Sequence, residues 1–188
     1  MRTPSHLIIT AALRRGPLAK VKIATPAFLV GAVAPDLPLY LLSVGRALYL
    51  YLTQGRPITS VHSFMFNDLY FSDPLWIIAH NTLHAPLVLL AVLALTWRYR
   101  AAGTGSGFAL FWFFAACLFH TALDIPTHAT DGPLLLFPFN WHYRFHSPIS
   151  YWDPAHHGTL FSLFEYSLDI LLLLYLFLKS PRPQARAG

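Results

Sequence analysis

Residues 75–97 read LWIIAHNTLHAPLVLLAVLALTW, a run without one Asp, Glu, Lys or Arg. A membrane-spanning helix needs about 20 apolar residues, so this stretch is read as one unbroken span. Residues 106–125, SGFALFWFFAACLFHTALDI, form a second, uncharged as far as Leu123. Between them lies the tight basic turn Arg98-Tyr99-Arg100-Ala101-Ala102-Gly103-Thr104-Gly105, which makes the two spans antiparallel. Residues 159–178 supply a third, closed by Lys179.

Composition agrees with this reading. The 188 residues are 55% hydrophobic and 11% charged, where a soluble domain carries about 25% charged residues. The surplus apolar surface needs lipid. A net charge of +5 raises the question of a nucleic-acid partner, but the basic residues sit at helix ends and form no stripe with interleaved aromatics, which argues against one. Cys117 has no second cysteine to pair with and lies in an apolar run, so packing is its expected role.

The N-terminal third is less regular. A short helix is expected from Ser5 to Arg15, broken by Gly16-Pro17, and another from Val21 to Ala34, stopped by Pro35 and Pro38. At about 1.5 Å per residue neither reaches across a core of about 30 Å, so the pair reads as a membrane-embedded hairpin. Arg2 precedes it, and the apolar segment Leu7 to Leu13 is followed, not preceded, by Arg14-Arg15, unlike a cleaved signal peptide. Residues 39–52 suit an interfacial helix carrying Arg46, and residues 53–74 read as a polar loop. Residues 126–158, rich in Pro, Gly and aromatics, read as an ordered loop at the interface. The expected fold is therefore all-α, a polytopic bundle of about three full spans plus a short N-terminal hairpin. It forms one domain over residues 1–178 with a disordered cytoplasmic tail at 179–188.

Charge sets an expected orientation. Arg14, Arg15, Lys20, Lys22, Arg98, Arg100, Lys179, Arg182 and Arg186 fall at one set of ends; Arg2, Arg46, Arg56 and Arg144 fall at the other. The positive-inside rule assigns the first set to the cytoplasm, which leaves the histidines at the far end.

Those histidines are spaced for chemistry. His80 and His84 are four residues apart, as are His120 and Asp124, and i, i+4 places two groups on one helix face. In antiparallel spans the two pairs lie at the same depth. The N-terminal hairpin brings His6 and Asp36 to that level too. His6, Asp36, His80, His84, His120 and Asp124 are thus the candidate metal ligands, with Asp36 and Asp124 as candidate catalytic carboxylates. Six N/O groups exceed one closed zinc site, so two metals, or one metal with acid/base groups, are expected. With no thiolate at hand, the divalent cation expected is Zn²⁺ or Mn²⁺. A single histidine in an apolar helix is more often a packing residue; the joint pattern at membrane depth, where ionisable groups are costly, carries the metal reading. His128 lies beyond Pro126 with its direction open. His142 and His146 read as interfacial anchors. Glu165 and Asp169 share a helix face, either pairing with another helix or supporting the site.

Taken in order, Ser5-His6, Pro35-Asp36, His80/His84, His120-x-x-x-Asp124, Asp131-Gly132 and Phe137-Pro138-Phe139 resemble the bacterial LexA-regulated, inner-membrane metal-dependent hydrolase family. The resemblance covers roughly residues 3 to 140. It implies the same six metal-site positions, hydrolase activity and a bacterial inner-membrane location. The chain departs from the family pattern at Ser5, Pro38, Asn81, Leu83 and Ala85; at Pro38 the family has a second acid.

The resulting expectation is a membrane-bound metal-dependent hydrolase in contact with the lipid bilayer, acting on an amphiphilic small molecule such as a lipid ester or phosphoester. The alternatives are a metal transporter or sensor and a catalytically inactive scaffold. A transporter needs a polar path onward, whereas residues 88–95 and 107–119 are almost wholly apolar.

Overall fold

The computed structural model describes residues 1–178, without the side chains of residues 58–60. The tail at 179–188, expected to be disordered and cytoplasmic, lies outside the described residues. The described chain is all-helical; an isolated bridge between Leu134 and Arg144 is its extended pairing.

Helix α1 (Thr3–Arg15) starts with Pro4 in its first turn and ends at Gly16, as the sequence leads one to expect. Helix α2 (Thr25–Gly31) is shorter than the expected 21–34. Pro26 sits in its first turn, the position where a missing N–H costs nothing, and residues 32–36 continue only as turns. Helix α3 (Leu37–Gln54) is capped by Gly55 in the left-handed conformation, φ 61°.

The polar loop expected at 53–74 is instead mostly helical. Helix α4 (Ile58–Phe64) runs through a π-helical turn, Met65–Leu69, into α5 (Tyr70–Ser72). The reason is hidden in its composition: Val61 and Met65 are buried with Leu50 of α3 and Trp76, and their burial fixes the segment as helix.

The span expected at 75–97 is also corrected. Asp73 caps α6 (Pro74–Asn81), accepting from the Leu75 and Trp76 backbone N–H groups. Pro86 then opens α7 (Pro86–Thr96). Proline cannot donate to the turn before it and its ring crowds that turn, so the two helices meet at a 45° bend with His84 inside the break. Helices α8 (Ser106–Asp124) and α9 (Gly158–Leu178) are continuous.

Two segments, Ser106–Thr127 and Gly158–Leu178, are long and apolar enough to cross a membrane; the bent pair makes a third if it counts as one span. The expected three full spans plus hairpin thus become two to three. Helix α8 is the hub, packed by α2 and α7, while α9 rests on α1. Glycine decides the α2–α8 contact. A Cβ on Gly31 would fall well inside van der Waals contact with the Phe113 carbonyl oxygen and 3.0 Å from the Ala116 Cβ.

Candidate metal centre

The close crossing at Gly31 places the next residue's carbonyl against α8. The Nδ1–H of His120 donates to Ala32 O at 2.8 Å. In the bend between α6 and α7, the Nδ1–H of His84 donates to His80 O at 2.9 Å. These carbonyls place a ring proton on Nδ1 in both residues and turn each Nε2 toward the group. Backbone contacts of this kind fix tautomer and ring direction at metal-binding histidines.

Both Nε2 atoms face the same point. His84 Nε2 and His120 Nε2 are 3.2 Å apart. Asp36 Oδ1 lies 3.4 Å from the first and 3.5 Å from the second. Asp124 Oδ2 lies 2.9 Å from His120 Nε2 and 3.6 Å from His84 Nε2. Four ligand atoms held about 2.0–2.1 Å from one ion at tetrahedral angles stand about 3.3–3.4 Å from one another. The observed spacings bracket that edge. Two imidazole nitrogens and two carboxylates facing one point call for positive charge among them, which ring protons or a divalent cation can supply. Asp36, His84, His120 and Asp124 therefore form a group that could hold a divalent metal ion.

Helix α1 supports this group from behind. His6 stacks on His120 with ring centroids 3.6 Å apart and donates from Nε2 to Asp124 Oδ1 at 2.9 Å. Burial lowers the pKa of His6 and outweighs the opposing pull of Asp124, so it donates as neutral imidazole; its Nδ1 is buried without a protein partner. The Met1 amino nitrogen also lies 2.6 Å from Asp124 Oδ1. Thr3 donates its hydroxyl to Asp36 Oδ2 and contacts the Tyr40 hydroxyl at 2.9 Å. Each carboxylate thus has one oxygen in the group and the other fixed by α1. Burial alone would raise the Asp36 carboxyl, but hydrogen bonds and charge from His120 and His84, when their rings carry a proton on Nε2, hold it below the ordinary carboxylate range.

His80 is diverted. Its ring stacks on His84 at 4.2 Å, but its Nε2 meets the Tyr70 hydroxyl at 2.8 Å. Tyr70 donates to Asp131 O at 2.6 Å, so it receives the His80 proton. Burial pushes the Tyr70 phenol far above its ordinary value and keeps it a donor. Of the six expected residues, four surround one point, while His6 and His80 stand directly behind them as ring-stacked neighbours. His128 donates from Nδ1 to Asp124 O at 2.9 Å, with Asp124 Oδ1 3.7 Å away. His142 and His146 are exposed.

Glu165 and Asp169 pair with α1. Glu165, fully buried, accepts from the Arg2 backbone N–H at 2.7 Å and from its guanidinium. Asp169 accepts from Ser5 Oγ at 2.7 Å. These contacts moor the segment that carries Thr3 and His6. The sequence concealed Thr3, Tyr40, Tyr70 and the Ala32 carbonyl, none of which belongs to a spaced motif; the Glu165/Asp169 face was visible, its partners were not.

A cavity of about 720 Å³ adjoins the group, lined by Asp36, His84 and Asp124 and, farther out, by Tyr40, Asn67 and Trp152. No family model, curated protein or solved structure matches the chain.

Proposed function

We propose that this protein is a membrane-embedded, metal-dependent hydrolase acting on an amphiphilic ester or phosphoester at the lipid interface. The observation that carries this reading is the position of the cavity. It reaches three of the four clustered side chains from one side, and about 720 Å³ is within the usual range for small-molecule sites. Zinc is the cation the donor set favours, with manganese second, since the ligands are two imidazoles and two carboxylates at near-tetrahedral spacing.

When bound, such an ion supplies Lewis acidity to water and to an ester oxygen. The chain's own groups do the rest. With His84, His120 and Asp124 as the three residues that would hold the ion, the fourth position would be left open. Asp36, the most exposed of the four and open on the cavity, would accept a proton from the attacking water and return it to the leaving oxygen. His84 and His120 keep their directions through the backbone carbonyls that hold Nδ1. Thr3 and His6 hold the two carboxylates in register.

The resemblance to the LexA-regulated inner-membrane hydrolases points the same way, and a bacterial inner membrane with the site on the non-cytoplasmic side is part of the proposal. A second reading, an imidazole–carboxylate network in an inactive scaffold, draws on the 2.9 Å contact of His120 Nε2 with Asp124 Oδ2, an ordinary hydrogen-bond length. The test is metal content by mass spectrometry on purified protein, with a lipid-ester and phosphoester screen of wild type and Asp36→Asn at matched membrane abundance. The proposal expects about one metal per chain and turnover lost in the variant. Metal-free protein that takes none up would favour the scaffold.

A further inference from the structure

A second cavity, about 740 Å³, lies between α1, α8 and α9 on the other side of the metal group. Its walls are Ile9 and Leu13 of α1, Leu123 at the end of α8, and Leu168 and Leu172 of α9. Helix α9 is almost wholly exposed along its apolar length, with Leu171 64% and Leu174 49% exposed, so it borders lipid. The helices are pinned to each other along this cleft. Ser5 and Arg2 bond Asp169 and Glu165 beside its middle; at the Tyr175 end, Arg15 donates to Leu176 O, and a Cβ on Gly16 would lie 2.9 Å from the Tyr175 hydroxyl.

We propose that this cleft is the binding site for an acyl chain of the substrate, an inference that rests on the hydrolase reading and names its substrate class as an acylated lipid. Three observations select that occupant. The cleft is bounded by two segments able to cross a membrane, so what enters it comes from the bilayer. From Phe161 to Tyr175 the lining extends along α9 for about 21 Å at about 1.5 Å per residue. About 740 Å³ spread over that length is a narrow groove, suited to a slender chain. Finally, the cleft reaches residues beside the metal group. Leu123, Pro126 and Thr127 line it and flank Asp124, and Met1 lines both this cleft and the polar cavity beside Asp36. One apolar tail and one polar head, joined at the ester, match the two cavities and their junction.

The test uses full-length protein in phosphatidylcholine nanodiscs containing a phosphatidylcholine with a diazirine midway along one acyl chain. After illumination, labelled positions are mapped by mass spectrometry, and metal content is measured on the same sample. Labels are expected to concentrate on Ile9, Leu13, Leu168 and Leu172. Leu172→Trp, which fills the cleft, should lower labelling of Ile9 and Leu13 at least fivefold, while Leu171→Trp on the lipid-facing side of α9 should leave it unchanged. Leu168→Trp is the second blocking variant should Leu172→Trp fail to insert. Labels spread evenly around α9 in wild type, or unaffected by both blocking variants, would mean annular lipid only and overturn the proposal. Absence of metal with cleft-specific labelling would instead remove the hydrolase reading and, with it, the assignment of the bound chain to a substrate.

Discussion

Ala32 O accepts the Nδ1–H of His120 at 2.8 Å, so a backbone carbonyl just past α2 sets the direction of a candidate ligand on α8. That contact exists because residue 31 is glycine. Gly31→Val should push α2 away from α8, since its Cβ would collide with the Phe113 carbonyl. Loss of a contact that orients a metal-binding histidine typically weakens binding about 10–100-fold. Zinc affinity by competition with a chromophoric chelator should fall accordingly, while Gly45→Ala, with nothing within 4 Å, should not change it. Equal affinity in Gly31→Val and wild type would separate the helix crossing from the site.

Direct loss of a donor should be more severe than loss of a neighbour. His84→Ala and His120→Ala are expected to purify with little metal, because each removes an Nε2 from the group of four. His80→Ala should keep metal but bind it about tenfold more weakly, as expected when a group next to a ligand is lost. His142→Ala, exposed and distant in role, should bind as wild type. If His80→Ala loses metal as completely as His84→Ala, the diversion of His80 to Tyr70 is not its resting arrangement.

Metal removal should also cost stability. A ligand that binds the folded state alone adds about 2.7 kcal/mol at a free concentration 100 times its Kd. Chelation should therefore lower the thermal midpoint in detergent, and added zinc should restore it. An unchanged midpoint in metal-loaded and chelated protein would argue that the four groups satisfy one another without an ion.

Glu165→Gln tests the mooring of α1. It removes the charge facing Arg2, so the salt bridge is lost and Arg2 Nη1 keeps at most a neutral acceptor. Breaking a fully buried pair costs about 3–5 kcal/mol, and a lower figure of about 1–2 kcal/mol is expected here because Arg2 is part-exposed. Since Thr3 and His6 follow Arg2 on the same helix, metal affinity should fall together with thermal stability, and Glu165→Asp should recover part of both. A stability loss with unchanged metal affinity would make Glu165 a structural residue only.

Topology follows from the charge split read in the sequence. Reporters after Gly188 or near Gly103 should report cytoplasmic, and reporters near Gly55 or Gly132 the far side. A cytoplasmic signal from Gly132 would move the whole metal group to the other face.

The sequence by itself determined that the chain is helical and apolar enough to enter a membrane. It also determined that histidines and acids gather at one end of the helices, because hydropathy, charge placement and i, i+4 spacing are local properties. Two regions escaped that logic. Residues 58–72 fall in the stretch read as a polar loop, yet apolar side chains among them, buried against Leu50 and Trp76, make them helical. The run at 75–97 looks continuous, yet Pro86 bends it and puts His84 in the break.

Only the tertiary structure decided which four residues share a point. An i, i+4 spacing can bring two side chains to one ion, as His120 and Asp124 of α8 do, but it does not say which pairs meet. His80 and His84 have the same spacing, and only His84 joins the group while His80 turns to Tyr70. The convergence comes from the bend at Pro86, the close crossing at Gly31 and the mooring of α1 by Glu165 and Asp169. Each depends on contacts between residues distant in sequence, which no local pattern encodes.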